Sequence, residues 1–178
     1  MPPAKRWSIH PDLHDEVATK LDEEGLFCTF YDVDNDEGHT HERITNIMGR
    51  FRCHNKNCRS KGWSSNVVAT FIRMYPGSRY NARVYHQSCR VCGKVSKPRL
   101  DFSYAERIVY WIKKWNDVPV ERPPVSSHSR GPHDSALCEG CRAGRCPMMI
   151  NRRGSASSDS YIDLMERYVD FRLYYGCN

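Results

Sequence analysis

The stretches Cys53-His-Asn-Lys-Asn-Cys58 and Cys89-Arg-Val-Cys92-Gly93 each hold two cysteines a few residues apart, and about 30 residues separate them. A zinc ribbon uses two such pairs, each presented by a tight turn, to hold one tetrahedral ion. Gly93 suits the turn after the second pair. Buried structural thiols are the alternative, but two close pairs on either side of a hairpin seldom occur without a metal. We therefore predict that Cys53, Cys58, Cys89 and Cys92 bind one zinc ion.

A third cluster lies at His133-Asp-Ser-Ala-Leu-Cys138-Glu-Gly-Cys141-Arg-Ala-Gly-Arg-Cys146. It places one imidazole and three thiols within 14 residues, which is a complete ligand set for a second four-coordinate ion. The four predicted ligands of this second zinc are His133, Cys138, Cys141 and Cys146. An interleaved arrangement, in which Cys53 and Cys58 share an ion with the CxxC pair of the third cluster, is the alternative.

Some histidines and cysteines fall outside this scheme. A lone histidine is more often a surface residue than a ligand, and His54, His86 and His128 compete with the histidine of the third cluster. Cys28 lies in an apolar context and is predicted to belong to the core. Cys177 is predicted to be a free thiol.

The cysteine count argues against a disulfide framework. The chain has nine cysteines, an odd number, and clustered thiols in a reducing compartment usually bind metal. The start, Met1-Pro-Pro-Ala-Lys-Arg-Trp7, lacks the apolar run of a signal peptide, and no stretch approaches the roughly 18 consecutive apolar residues of a membrane span. We therefore predict an intracellular protein, cytoplasmic or nuclear, without an integral membrane segment.

The segment between the first two cysteine pairs has the composition of β-strands. Residues Trp63–Tyr75 and Tyr80–Gln87 are rich in β-branched and aromatic side chains, and Pro76-Gly77 lies between them, which predicts a hairpin. Arg50–Cys53 is predicted as a further short strand. Together with the cysteine pairs, these strands predict a zinc-ribbon-like β-hairpin core.

Amphipathic helices are predicted around this core. Pro11–Gly25 has apolar residues at four-residue spacing and ends on glycine. Ser103-Tyr-Ala-Glu106 fits a capping box, and apolar residues follow it at helical spacing up to Trp115. A third helix is predicted from Tyr161 to Val169. The predicted fold class is therefore α+β, a small zinc-stapled domain with a hairpin core, a second zinc knuckle and flanking helices.

Charge is distributed unevenly along the chain. Residues 1–42 hold 3 basic and 11 acidic side chains, residues 43–114 hold 16 and 2, and residues 115–178 hold 8 of each. We predict an acidic N-terminal leader with a short helix at 1–42, a zinc-binding domain at 43–147 and a tail with an amphipathic helix at 148–178. A Pro- and Ser-rich linker is predicted at 118–132. The basic middle would attract nucleic acid, an anionic lipid surface or an acidic protein, and solvated charge is the alternative.

Two other chemistries are excluded by spacing. The segment Asp32-Val-Asp-Asn-Asp-Glu-Gly38 resembles a calcium loop, but its glycine falls one position late and Arg43 replaces the bidentate glutamate. A zinc deaminase combines H-x-E with P-C-x-x-C, and His14-Asp-Glu16 fits the first half, but neither CxxC follows a proline. Four protein ligands also leave no position for a catalytic water. We therefore expect structural zinc and no enzymatic activity.

Three ordered motifs resemble those of a known family. They are Met48-Gly-Arg-Phe-Arg-Cys53 with Cys58-Arg-Ser-Lys-Gly-Trp-Ser-Ser65, Tyr85-His-Gln-Ser-Cys-Arg-Val-Cys92, and the third cluster. Over about residues 43–147 they are similar to the 3CxxC-type zinc-finger domain of receptor-transporting and zygote arrest proteins, and most similar to its small stand-alone fungal members. The resemblance implies zinc at the clustered cysteines and at His133. The first pair departs from the family as C-x₄-C, and we do not expect the membrane anchor of receptor-transporting proteins.

Two functions of different classes follow from these observations. The zygote arrest resemblance implies RNA binding by the basic module. The predicted phosphate contacts are Arg50, Arg52, Lys56, Arg59, Lys61, Arg73, Arg79, Arg83, Arg90 and Lys94. Trp63, Tyr80 and Tyr85 are candidates for base stacking, with burial in the core as the alternative that is favoured for Trp63. The receptor-transporting resemblance implies instead an adaptor that binds a protein client through the basic face or the C-terminal helix. The acidic leader is a candidate mask for the basic face.

Overall fold

The computed structural model describes residues 5–123 and 133–149. In this part of the chain the strands are β1 (Trp7–Ser8), β2 (Thr29–Phe30), β3 (His41–Phe51), β4 (Trp63–Tyr75), β5 (Arg79–Tyr85), β6 (Gln87–Ser88), β7 (Val95–Ser96) and β8 (Pro98–Leu100). The helices are α1 (His14–Asp22), α2 (Ser103–Trp115) and α3 (Glu139–Arg142). The predicted α+β class is confirmed.

Most strands form one curled, largely antiparallel sheet in the order β1-β5-β4-β3-β8. β2 joins it by pairing in parallel with β5, and β6 and β7 form a separate two-stranded sheet. The predicted hairpin is present as β4 and β5, and its turn contains Gly77 (φ 79°) and Ser78 (φ 52°). The hairpin is therefore the centre of a larger sheet.

The strand predicted at Arg50–Cys53 is the end of a longer one. β3 pairs with β4 from His41↔Met74 to Phe51↔Trp63, with a bulge between Ile47 and Gly49. The sequence did not predict the full length of this strand, because polar residues occupy its inner positions. Thr45 is buried, and Asn46 donates its side-chain amide to the Asn66 carbonyl at 3.0 Å. Such contacts with distant residues leave no simple alternation of apolar and polar positions.

Both faces of the sheet are covered. Alternate residues of β4 point to opposite sides of the sheet, so they pack in two different clusters. Val68 and Ile72 belong to the larger core, which α1 and α2 complete. The buried residues that the two helices add to this core are Val17, Leu21, Tyr104, Ala105, Ile108, Val109 and Ile112. On the other face, Ala69 and Phe71 pack in a second cluster with Tyr85 of β5 and the buried thiols of the third cysteine cluster.

Residues of the predicted acidic leader are built into the same sheet. β1 and β2 pair with opposite ends of β5, at Tyr85 and Arg79 respectively. The helix predicted over Pro11–Gly25 is confirmed as a 3-10 turn followed by α1, after which Gly25 adopts a φ of 69°. Cys28 lies in the core, as predicted, and burial raises the pKa of its thiol.

The second predicted helix is confirmed as α2, but the predicted capping box is wrong. Phe102 occupies the cap position, and Ser103 begins the helix itself. The Ser103 hydroxyl accepts a hydrogen bond from the Met48 N–H of β3 at 2.9 Å, so it joins the helix to the sheet. Asp101 accepts instead from the Ser103 N–H at 3.0 Å.

Several predictions lie outside the described residues. The linker at 118–132 is described only to residue 123, and the helix predicted from Tyr161 to Val169, His128 and Cys177 are not described. Within residues 5–123 and 133–149, no helix has the length and apolar character needed to cross a membrane.

Candidate metal centres

The first group of ligands forms at one end of the sheet. Cys53 and Cys58 lie in the loop between β3 and β4, and Cys89 and Cys92 lie in the turn between β6 and β7. Their sulfurs are all within 4.8 Å of one another, with 3.5 Å between Cys53 and Cys92 and 3.8 Å between Cys58 and Cys89. Zinc–sulfur bonds of about 2.3 Å at tetrahedral angles place sulfurs about 3.8 Å apart. The four thiols therefore fit one zinc ion.

The turn at the second pair prepares its thiols for metal. Gly93 has a φ of 70°, as its place in a tight turn predicts, and its N–H donates to the Cys89 carbonyl at 2.8 Å. Burial disfavours the Cys89 thiolate, but the N–H groups of Cys92 and Val91 donate to its sulfur and lower its pKa to about 6. The Lys94 N–H lowers the pKa of Cys92 in the same way. Amide donors thus favour the thiolate, which is the form that binds zinc.

The second group of ligands comes entirely from the third cluster. The donor atoms of His133, Cys138, Cys141 and Cys146 also lie within 4.8 Å of one another. His133 Nε2 is 3.2 Å from Cys141 Sγ and 3.6 Å from Cys146 Sγ. Tetrahedral zinc with bonds of about 2.0 Å to nitrogen and 2.3 Å to sulfur separates the two donors by about 3.6 Å. The ligands therefore group sequentially and not in the interleaved arrangement.

The two competing histidines that the structure describes lie in neither group. His54 is exposed in the loop between Cys53 and Cys58. His86 is buried, its Nδ1 lies 2.7 Å from the Lys5 carbonyl, and its Nε2 lies 3.2 Å from Ser8 Oγ. His86 thus holds the N-terminal segment against the end of β5.

The second group is fastened to the sheet by a buried glutamate. Glu139, next to Cys138, accepts hydrogen bonds from Arg6 at 2.7 Å, Arg142 at 2.6 Å and Ser88 at 3.3 Å. Its backbone N–H donates to the His86 carbonyl at 3.1 Å. The sequence alone did not identify Glu139, because two of its partners, Arg6 and Ser88, are 133 and 51 positions away.

The helix that carries Cys141 touches the sheet directly. A Cβ atom at Gly140 would lie 2.4 Å from Ala69 Cβ and 3.4 Å from Tyr85 Cβ. Only glycine allows α3 to approach β4 and β5 so closely. The second metal group is thereby part of the packing on this face of the sheet.

These two ligand sets on an α+β scaffold define a two-site zinc-binding protein, and the prediction of two zinc ions is confirmed. The model of the 3CxxC zinc-ribbon family, described as a zinc-binding domain, matches residues 46–144, which is more than half of the chain. The chain belongs to the 3CxxC zinc-ribbon family. No curated protein and no solved structure matches it. The finer resemblance to receptor-transporting and zygote arrest proteins stays a prediction.

Two of the ten predicted phosphate contacts are instead part of the interior. Arg73 is fully buried and donates to Asp34 at 2.8 Å and to Asp36 at 3.0 Å. Arg83 is 8% exposed and also donates to Asp34 at 2.8 Å. The Arg73 and Arg83 guanidinium groups help to hold the pKa of the Asp34 carboxyl low against the effect of burial. Their role is to bind the acidic loop of the predicted leader, so assigning them to phosphate was wrong.

The three residues predicted to stack on bases differ in their exposure. Tyr80 is fully buried and Tyr85 is 2% exposed, so neither can stack on a base. Trp63 is half-buried against the core, as the favoured reading predicts, and its ring stacks on Phe51 at 5.0 Å. Its indole N–H donates to the side-chain oxygen of Gln87 at 3.0 Å. Trp63 therefore combines a core contact with a position at the surface.

Proposed function

We propose that this protein is a non-catalytic zinc module that binds single-stranded RNA through a basic surface around the first metal site. The observation that carries the proposal is a set of nine exposed cations, which we call the basic end. Its members are Arg50, Arg52, Lys56, Arg59, Lys61, Arg90, Lys94, Lys97 and Arg99. Among the described residues, none of the nine forms an ion pair with a carboxylate.

The basic end concentrates like charges without neutralising them. Residues 43–100 contain no aspartate or glutamate, and in the sheet Arg50 and Arg99 are direct partners across β3 and β8. Like charges opposite each other on neighbouring strands repel and destabilise the pair. A polyanion such as an RNA backbone relieves this repulsion and releases its own counterions on binding.

The proposed absence of catalysis rests on the ligand sets. Each group supplies four protein donors, which fill a tetrahedral zinc and leave no position for an activated water. The first metal then stabilises the loops that carry Arg52, Lys56, Arg59 and Arg90, because metal binding is coupled to folding of such small sites.

The proposal is tested by charge reversal with a matched control. Arg99→Glu places a carboxylate in the basic end, whereas Lys20→Glu makes the same charge change on α1. We expect Arg99→Glu to weaken binding to single-stranded RNA roughly tenfold and to reduce the salt slope of log affinity by about 1, with little change for Lys20→Glu. Fluorescence anisotropy across a salt series measures both quantities. Equal effects of the two variants, or no RNA binding by the wild-type protein, would contradict the proposal.

A protein-interaction adaptor is the second candidate, and one observation favours it. Residues Trp63–Ala69 of β4 pair with β3, but pairing with β5 begins only at Thr70. No other strand of the described chain pairs with that edge. The Val67 carbonyl already accepts from Gln87, so Trp63–Ser65 is the part to which an extended peptide could add. Saturable binding of a polypeptide that ribonuclease treatment leaves unchanged would favour this function over RNA binding.

A further inference from the structure

A groove of about 620 Å³ lies between the two metal sites. Its volume falls within the roughly 300–1,000 Å³ range of small-molecule sites. Ser60, Trp63 and Arg90 line it from the side of the first site, and His133 and Asp134 line it from the side of the second. The groove also adjoins the basic end, because Arg90 belongs to both.

Trp63 gives the groove a fixed aromatic wall. Phe51 stacks on the indole with an interplanar angle of 5°, and the side-chain oxygen of Gln87 accepts a hydrogen bond from the indole N–H. Gln87 is itself fixed, since its amide donates to Ser65 Oγ at 3.0 Å and to the Val67 carbonyl at 2.9 Å. A ring held in this way can stack on a planar ligand without losing further side-chain freedom.

One cation and one carboxylate face this groove without pairing with each other. Arg90 and Asp134 are both exposed, and within the described chain no ion pair joins them. Asp134 Oδ1 accepts from the Ala136 N–H at 3.1 Å, which fixes the carboxylate at the start of a 3-10 turn. Its second oxygen remains as an acceptor. Asp134 is the single acidic residue of the lining in the described structure.

We infer that the groove binds a guanine base of single-stranded RNA, an inference that rests on the proposed RNA-binding function. Guanine offers N–H donors on its Watson–Crick edge, which suit the Asp134 carboxylate, and the acceptors O6 and N7, which suit the Arg90 guanidinium. Its ring stacks on Trp63 while the backbone phosphates follow the basic end. Adenine, cytosine and uracil do not present this combination of donors and acceptors.

Both metal sites position this base site. Arg90 lies between the zinc ligands Cys89 and Cys92, and Asp134 directly follows the ligand His133. The two polar groups are therefore held by different ions, and their spacing depends on both. A carboxylate within a cationic region also disfavours phosphate at that point, which reserves the groove for the base.

Competition between RNAs that differ at one base tests the inference. The probes are short oligouridines with one central guanine, adenine, cytosine or inosine, and a matched 7-deazaguanine probe tests the contact to N7. We expect the guanine probe to bind roughly tenfold more tightly than the adenine or cytosine probe. Inosine, which lacks the exocyclic amino group, should bind with intermediate affinity. The 7-deazaguanine probe should bind more weakly than guanine, because it lacks the N7 acceptor for Arg90.

Asp134→Asn is the decisive variant, because it keeps the oxygen that caps the turn and replaces the other acceptor with a donor. We expect it to lose the guanine preference while retaining affinity for oligouridine, zinc content and thermal stability. Asp15→Asn, the same change at an exposed carboxylate of α1 outside the groove, is the control and should keep the preference. Trp63→Leu, with zinc content measured on the same sample, should weaken binding of all the probes, and undiminished binding would contradict stacking on Trp63.

The outcomes separate the inference from the proposed function. Guanine preference that disappears in Asp134→Asn supports both. Salt-sensitive RNA binding with equal affinity for every base overturns the guanine site and leaves the proposed function standing. Absence of RNA binding overturns both. Competition by polyglutamate as strong as that by RNA also overturns both and favours an acidic polypeptide as the partner.

Discussion

The two metal sites of this protein are built in opposite ways. In the first site, Cys53 and Cys92 are 39 positions apart, and three of the four thiols are only half-buried. In the second, His133 and Cys146 are 13 positions apart, and all three thiols are buried. The first site thus joins the loop between β3 and β4 to the turn between β6 and β7 at one end of the sheet, whereas the second folds a short segment onto the face of the sheet.

This difference indicates a division of roles. The second site covers Ala69, Phe71 and Tyr85, which are at most 2% exposed, so its loss would uncover one face of the sheet. The first site is surrounded by the exposed cations of the basic end, and its loss would release loops without uncovering the core. Elements with few buried contacts open locally at lower free energy than the core does.

Removing one ligand from each site tests the division most strongly. We expect Cys141→Ser to lower the free energy of unfolding by about 5 kcal/mol or more, because a structural zinc and the packing on β4 and β5 are lost together. We expect Cys92→Ser to cost about 2 kcal/mol or less and to leave the sheet folded. Denaturant unfolding, with zinc content measured on the same samples, gives both values. A larger loss for Cys92→Ser would reverse the assigned roles.

A pair of glycine substitutions sharpens the comparison without touching a ligand. Gly140→Ala should cost about 3 kcal/mol, because its Cβ would overlap Ala69 Cβ. Gly93→Ala in the first site meets no atom within 4 Å, and only its φ of 70° opposes the change, at about 1 kcal/mol. Thermal and denaturant unfolding compare the two. Similar costs would mean that the second site does not pack on the sheet as closely as described.

A buried histidine that supports the second site gives a smaller, pH-dependent effect. Burial, and then the charge of Lys97, lower the pKa of His10 from 6.5 to about 4. The charge of Asp12 raises this pKa, and His86 lowers it. His10 binds Ser8 Oγ at 2.9 Å, and Ser8 in turn binds His86. Since the unfolded chain takes up the proton more readily, the contribution of His10 is present above pH 6.5 and is lost as the pH falls towards 4.

Between pH 7 and pH 5.5 this lowered pKa should reduce stability by about 1 kcal/mol. His10→Gln should remove that part of the pH dependence. Urea unfolding at both pH values, for the wild-type chain and the variant, measures it. Zinc content is measured in parallel, because loss of metal at low pH would affect both proteins. An unchanged pH dependence in His10→Gln would show that another group is responsible.

Sequence reasoning reached the parts of the structure that depend on local patterns. The cysteine spacings predicted both ligand sets, composition predicted the hairpin of β4 and β5, and apolar periodicity predicted the helices α1 and α2. These predictions were confirmed because turn residues, helical periodicity and close ligand spacing each involve residues only a few positions apart.

The parts that were missed depend on distant partners. Arg73 and Arg83 read as surface cations, and only the acidic loop at Asp34 and Asp36 explains why they are buried. Ser103 matched a capping box, but the approach of β3 gives its hydroxyl another role. No local pattern encodes such contacts, because they exist only once the sheet has formed.

The central claim, two zinc ions with different roles, is tested most directly by native mass spectrometry during stepwise removal of metal with a chelator. We expect two zinc ions per chain at the start, followed by a one-zinc species that keeps its circular dichroism spectrum. Alkylation of that species should modify Cys53, Cys58, Cys89 and Cys92 and spare Cys138, Cys141 and Cys146. A single zinc at the start, simultaneous loss of both ions, or first modification of the third cluster would contradict the account.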